Sequence, residues 1–166
     1  MEAGYGTGAA QFFYPQEAEK LIDHGFELMY RSPVEMQLDS VTSELFQRVR
    51  DGKIKRVVID ALGDLERCSI DRKRFSDFIY ALTQWFAARN VTCIMTYEMP
   101  SLFEVRGISD QEIANLSDNI ILLRFREGPE MERTIRVIKT RGSAHDNHEH
   151  QLEITSKGIV IKKVKK

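Results

Sequence analysis

Asp60 ends the apolar part of the stretch Lys53–Gly63, KIKRVVIDALG. Val57, Val58 and Ile59 form a β-branched run that reads as a short buried strand, and Gly63 lets the chain turn behind it. An acid at the carboxyl end of such a strand sits where open α/β sheets bind ligands, and Asp is also a common cap of the turn that follows. This stretch alone leaves both readings open. Two cations, Lys139 and Arg141, close a later alternating run. At i and i+2 near a strand end they read as a solvated face or as protection of a sheet edge. His145, Asp146, His148, Glu149 and His150 are residue types that ligate metals. Polar loops often hold such mixtures, and with no cysteine or second cluster beside them a metal centre is not expected. Glu98 has the chemistry of a general base but stands where turn acids stand. Gly4, Gly6 and Gly8 look like a phosphate-cradling loop until the next residues are read. Ala9 and Ala10 follow where a Lys and a Ser or Thr are needed, and the first lysine is Lys20, so no phosphate loop is complete here.

Positioning these groups requires strands with helices between them. Gln11–Tyr14 is a short aromatic run that fits an edge strand. Pro15 opens a helical segment that Gly25 stops, and Phe26–Arg31 alternates as a strand broken by Ser32-Pro33. Asp39–Arg50 carries Val41, Leu45, Phe46 and Val49 at amphipathic-helix spacing. The clearest helix is Asp71–Arg89, with Phe75, Phe78, Ile79, Leu82, Trp85 and Phe86 on one face and Asp71 as cap. Helical spacing makes that aromatic stripe core rather than a platform for bases. Val91–Thr96 is a second buried strand, so the strand ending at Asp60, the helix and this strand form a right-handed βαβ unit. With Phe26–Arg31 in the same sheet, Arg31, Asp60 and Thr96–Glu98 would line one edge. Residues 99–116 read as a polar loop with a short helix. Asn119–Phe125 and Arg133–Lys139 read as a hairpin, and Gln151–Thr155 and Gly158–Lys162 as two closing strands.

Composition bounds the function classes. The 166 residues suit one domain, and 42% apolar with 30% charged content is that of an ordinary globular chain. With 24 Lys and Arg against 25 Asp and Glu, the net charge of −1 carries no global signal for nucleic acid. No apolar run approaches the roughly 20 residues that span a bilayer, and no secretory signal opens the chain. Cys68 and Cys93 suit neither a disulfide framework nor a zinc site, so a cytoplasmic location is expected.

Three stretches together resemble the carboxyl-terminal half of a KaiC-like domain of the RecA superfamily of ATPases. They are RVVIDALGDLE with its following helix, Leu116–Phe125 with Met131–Asp146, and the closing ITSKGIVI, Ile154–Ile161. Their order and spacing agree over roughly residues 26–162, and Lys139-x-Arg141-Gly142-Ser143-x-His145-Asp146 is the most specific part. The resemblance implies an α/β, RecA-like fold in truncated form: a parallel βαβ block followed by antiparallel strands. It also implies a ring of subunits with ATP and Mg2+ held between neighbours. In that setting Asp60 is the Walker B acid, acting on Mg2+ through bound water. Lys139, Thr140, Arg141, Ser143, His145 and Asp146 reach the nucleotide of the next subunit, where a trans-acting cation steadies charge on the terminal phosphate.

The departures from the family pattern are equally specific. The phosphate loop lies upstream of everything matched. In place of the paired glutamates stands Gln16-Glu17, with Glu17 the candidate for the second, and Ala61 follows Asp60 where Ser is usual. The expectation is therefore a leader or remnant over residues 1–14 and one partial domain over 15–166. Alone it would not hydrolyse ATP appreciably, and it would act by self-association or with a full-length KaiC-like relative. The alternative is a degenerate RecA-like interaction module that binds no nucleotide. Neither membrane nor nucleic acid is an expected partner.

Overall fold

The computed structural model describes residues 25–32, 36–98, 115–128 and 130–163. The described elements are helix α1 (Leu38–Asp51), strand β1 (Arg56–Ile59), helix α2 (Leu62–Arg67), helix α3 (Arg72–Ala87) and strand β2 (Thr92–Met95). Strands β3 (Asn119–Arg126), β4 (Glu132–Thr140), β5 (His150–Thr155) and β6 (Gly158–Lys163) follow. They form a parallel pair, β1-β2, and an antiparallel sheet in the order β3-β4-β5-β6.

Helix α3 forms because its apolar residues recur at the helical period and its first turn is capped. Asp71 accepts a hydrogen bond from the Arg74 amide at 2.8 Å, satisfying one of the amides that a helix start leaves open. Phe75, Ile79, Leu82 and Phe86 of α3 are fully buried, joined by Val49 of α1, Val57 of β1, Leu62 and Leu65 of α2, and Val91. Phe46 of α1 stacks on Trp85 of α3 with centroids 3.9 Å apart, which locks the two helices face to face. Gly52 ends α1 at a close approach, since a Cβ there would lie 2.9 Å from the Arg48 carbonyl oxygen.

Alternation then decides the faces of the strands. In the parallel pair Val57 and Ile59 lie level with Cys93 and Met95 against the helices, while Val58 and Ile94 stand 61% and 60% exposed on the other face. The antiparallel sheet divides in the same way. The cross-strand sets Ile121↔Val137, Leu123↔Ile135↔His150, Arg133↔Leu152↔Ile161 and Ile154↔Ile159 make one face largely apolar. The opposite face carries the ion pairs Arg126–Glu132 and Lys162–Glu153. A β-bulge between Ile120 and Ile121 offsets the end of the first hairpin, and Gly158 at φ +112 makes the tight turn between β5 and β6.

Two expectations change. Phe26–Arg31 is not a strand; residues 26–32 are irregular, so the parallel sheet has two strands among the described residues. The reason is a competing ion pair: Arg31 binds Glu44 of α1 and its own neighbour's carbonyl, Tyr30 O, at 2.7 Å, which holds the segment against the helix. Arg31 therefore does not line the edge that carries Asp60. The second change is α2, a helix of six residues directly behind Asp60 where a turn was expected. The expected helix from Pro15 and the strand Gln11–Tyr14 lie outside the described residues.

Truncating Phe86 tests the core. Phe86→Ala should lower the unfolding free energy by about 3–5 kcal/mol in urea denaturation, because a 1% exposed ring leaves a cavity between α1, α3 and the sheet. A loss under about 1 kcal/mol would contradict this packing.

Candidate functional site

The parallel register brings Asp60 and Thr96 together. Ile59 pairs with Met95, so the next residue of each chain leaves the sheet at the same carboxyl edge. Three bonds stitch that edge. The Thr96 amide donates to Ile59 O at 3.0 Å, the Leu62 amide donates to Thr96 O at 2.9 Å, and the Thr96 hydroxyl donates to Asp60 Oδ1. The Asp60–Ala61 peptide is cis. Asp60 is exposed, and among the described residues its side chain bonds to Thr96 alone. One carboxylate oxygen is thus oriented and the other faces solvent. Beside it the Tyr97 hydroxyl donates to Glu66 Oε2 at 3.2 Å, and Glu66 Oε1 meets Arg72 at 3.4 Å.

A divalent cation can be weighed against this donor set. Among the described residues no three His, Cys, Asp or Glu side chains are placed to cage a metal. Mg2+ keeps most of its water and takes one or two carboxylates together with substrate phosphates. A lone, half-satisfied Asp60 fits that outer role.

The second group of candidates gathers at the end of β4. Lys139 and Thr140 pair with Ile120 and Asn119 in the last ladder positions, and Gly142 turns the chain at φ +77. Arg141 is folded back on the entry to β3: its amide donates to Asp118 O at 2.9 Å, its guanidinium lies 3.4 Å from Asp118 Oδ1, and it also donates to Asn115 O. Ser143 and His145 are exposed. Asp146 turns towards the start of β5. It accepts from the His148 amide at 2.9 Å, its Oδ1 lies 2.6 Å from His148 Nδ1, and His150 Nε2 stands 3.3 Å from Oδ2. The His148 amide and imidazole hold the Asp146 carboxyl down at about 2. Glu149 faces away from this cluster, binding Arg124 at 2.9 Å and meeting Arg126 at 3.6 Å.

The structure therefore places Lys139 and Thr140 at the end of β4 and Arg141, Ser143, His145 and Asp146 in the connection to β5, and leaves Asp60 outside this group. Glu17 lies outside the described residues. Glu98 is exposed two residues past Thr96, on the Asp60 edge. The Glu66–Tyr97 bond and the two imidazoles on Asp146 were not read from the sequence. Leu62 and Leu65 at i and i+3 were the signal for the helix that presents Glu66. Cys93 is an unreactive core thiol, pushed up to about 11 by burial.

The family model "ATPase: KaiC" matches residues 16–166. The chain belongs to the KaiC family. It is 33% identical over 138 residues to the circadian clock protein KaiC3 of Synechocystis sp., covering 82% of this chain and 27% of that protein. Against the circadian clock oscillator protein KaiC of Synechococcus elongatus it is 33% identical over 115 residues, covering 69% of this chain and 22% of the relative. The chain thus spans about a quarter of the length of these curated KaiC relatives. The crystal structure of a KaiC-like protein from Pyrococcus horikoshii superimposes with a TM-score of 0.71 at 21% identity, over 92% of this chain and 70% of that one. The fold is the RecA-type α/β fold of that KaiC-like protein. Among the described residues no helix is long and apolar enough to cross a membrane.

The Asp146 cluster has a pH signature. Its folded-state value of about 2 lies below the ordinary 3.8, so its stabilising contribution is present above the ordinary carboxylate range and is lost as pH falls through about 2. A carboxyl-carbon NMR titration should place Asp146 near 2. His148→Ala should move it part of the way back, since the amide of residue 148 still donates. An ordinary value in the unsubstituted chain would contradict this geometry.

Proposed function

We propose that this KaiC-family chain contributes residues to a nucleotide site shared between subunits, and that it does not turn over ATP by itself. The observation that carries this reading is the separation of two half-sites. Among the described residues Asp60 is bonded only to Thr96 at the edge of the parallel pair, while Lys139–Asp146 lie at the end of β4 and just beyond it in the other sheet. Within the chain's 166 residues no GxxxxGK[ST] run cradles phosphates beside Asp60.

Each group has a role in this reading. ATP with Mg2+ supplies a phosphoryl group whose terminal oxygens gather negative charge on transfer. Asp60, aligned by the Thr96 hydroxyl, accepts hydrogen bonds from water on the cation. Lys139 and Arg141 place positive charge against the phosphates of a neighbouring subunit. To do so Arg141 gives up its hydrogen bond to Asn115 O and a 3.4 Å pair with Asp118 which, between side chains 54% and 75% exposed, is worth about 0–1 kcal/mol. Thr140 and Ser143 offer hydroxyls and His145 an imidazole around the same phosphates. Asp146 holds the connection in shape through His148 and His150. Glu17 remains the candidate for a water-activating glutamate. Residues 15–166 act as one partial domain in this reading, with residues 1–14 as a leader.

A second reading is an interaction module that assembles with a KaiC relative or with itself and binds no nucleotide. The exposed apolar faces favour it: Val58 and Ile94 on one sheet, and Ile121, Leu123, Ile154, Ile159 and Ile161 on the other, are more than half exposed.

Two measurements separate the readings. The pure chain should show no magnesium-dependent ATP turnover, and mixing it with a full-length KaiC relative should change that relative's turnover. Lys139→Ala/Arg141→Ala should weaken that effect by about tenfold or more, since hydrogen bonds to charged groups are being removed. If the chain and its double variant are equally inert toward ATP in both settings, the nucleotide reading fails. By sedimentation, Leu123→Asp/Ile161→Asp should shift association toward monomer, and an unchanged profile would remove the apolar face as a contact surface.

A further inference from the structure

The edge of the parallel sheet opposite Asp60 holds a feature that none of this chemistry uses. Helix α1 ends just before β1 begins, and α3 ends just before β2 begins, so both helix carboxyl ends meet at the amino edge of the strands. Between them lies a hollow of about 290 Å3 whose polar wall is made by Arg50, Lys53, Lys55 and Arg89. Its floor is apolar, formed by Val49, Ile54 and Val91. Among the described residues no carboxylate lines it. We propose that this hollow is an anion site for a compact phosphate-bearing ligand.

Among the described residues none of the four cations is paired with an acid. Arg50 and Lys53 form no ion pair among the described residues. Lys55 donates to the Arg89 carbonyl at 3.4 Å, and Arg89 lies 4.0 Å over the Trp85 ring while donating to Trp85 O at 3.2 Å. The neighbouring hollow on the far side of Gly52 behaves differently. Its Glu27 and Glu44 are matched by Arg48, and Glu44 also by Arg31. Cations at helix carboxyl ends answer the helix dipoles, but two such ends carry only about one negative charge in total against four full positive charges. A surplus of positive potential is left in the hollow.

Backbone geometry marks the same place. Lys53 at φ +51 and Asn90 at φ +54 are the two positive-φ residues other than glycine among the described residues. Asn at this position is an ordinary helix stop, whereas a lysine held in the left-handed region is uncommon. That conformation lets Lys53 join the polar wall beside Lys55. The volume is near the lower limit of small-ligand pockets, which sets the size at a pyrophosphate or a small phosphate ester rather than a folded partner.

The test uses the full chain with inorganic pyrophosphate at low salt, read by amide NMR shifts. Saturable shifts should appear at 53–55 and 90–92 and weaken as salt is raised. Arg50→Gln/Lys53→Gln, both exposed positions, should weaken binding by about tenfold or more. Lys157→Gln, on the distant β5–β6 turn, should bind like the unsubstituted chain. The proposal is overturned if pyrophosphate gives no saturable shifts, if the shifts fall only at 139–146, or if the Arg50/Lys53 variant binds equally well. Tighter binding of a short single-stranded RNA than of pyrophosphate at the same residues would also overturn it, by replacing a compact ligand with a phosphodiester chain.

Discussion

Everything else in the structure depends on the pairing of two four-residue strands that α3 holds against its aromatic face. A two-stranded parallel pair has little stability of its own, because parallel pairing needs a crossover and a covered face. Here α3 supplies both: it is the crossover, and Phe75, Ile79, Leu82 and Phe86 cover Val57, Ile59, Cys93 and Met95. The stitch through Thr96 then follows. With the register fixed, the Thr96 amide and carbonyl find Ile59 and Leu62, and the hydroxyl has Asp60 within reach. Asp60 is positioned by the burial of residues that never touch it.

The same dependence explains which elements could be read from the sequence. Helix α3 declares itself by period, β1, β2 and β3 by short apolar runs and β4 by alternation, and Asp71 marks the start of α3 by its cap. These features depend on residues a few positions apart. Helix α2 does not declare itself, because six residues with Leu62 and Leu65 as anchors are too short to show a period, and Gly63 inside it reads as a stop. Phe26–Arg31 fails in the opposite sense. Its alternation is genuine, but alternation says only that one face can be buried, and Arg31 is instead drawn to Glu44 on α1. The candidate site divides likewise. The shared edge of Asp60 and Thr96 follows from parallel strands alone, whereas the grip of His148 and His150 on Asp146 depends on a turn at Gly142 whose path no periodicity encodes.

Charge is arranged along the strand direction. At the carboxyl edge stand Asp60, Glu98 and Glu66, the last paired with Arg72; at the amino edge Arg50, Lys53, Lys55 and Arg89 outnumber Asp51 at the end of α1. Because α1 and α3 run opposite to the strands, their negative ends lie at the amino edge, and basic residues there stabilise both helices while leaving charge to spare. An overall charge of −1 conceals this separation. Net charge is a poor guide to local chemistry where opposite signs collect at opposite ends of one sheet.

The apolar faces carry the last step of the argument. A sheet face is left apolar by selection only if something covers it, since exposed apolar area forgoes roughly 25 cal/mol per Å2 of stabilisation. On the opposite face of the antiparallel sheet Leu122 and Thr134 are buried, while the ion pairs Arg126–Glu132 and Lys162–Glu153 meet water. Ile121, Leu123, Ile159 and Ile161 are not built for it, and neither are Val58 and Ile94. Each sheet thus leaves apolar side chains exposed on one face while burying some side chains on the other. The relatives that share this fold are longer than this chain. Among the described residues these apolar side chains stay more than half exposed, and that exposed area is what the interaction-module reading draws on.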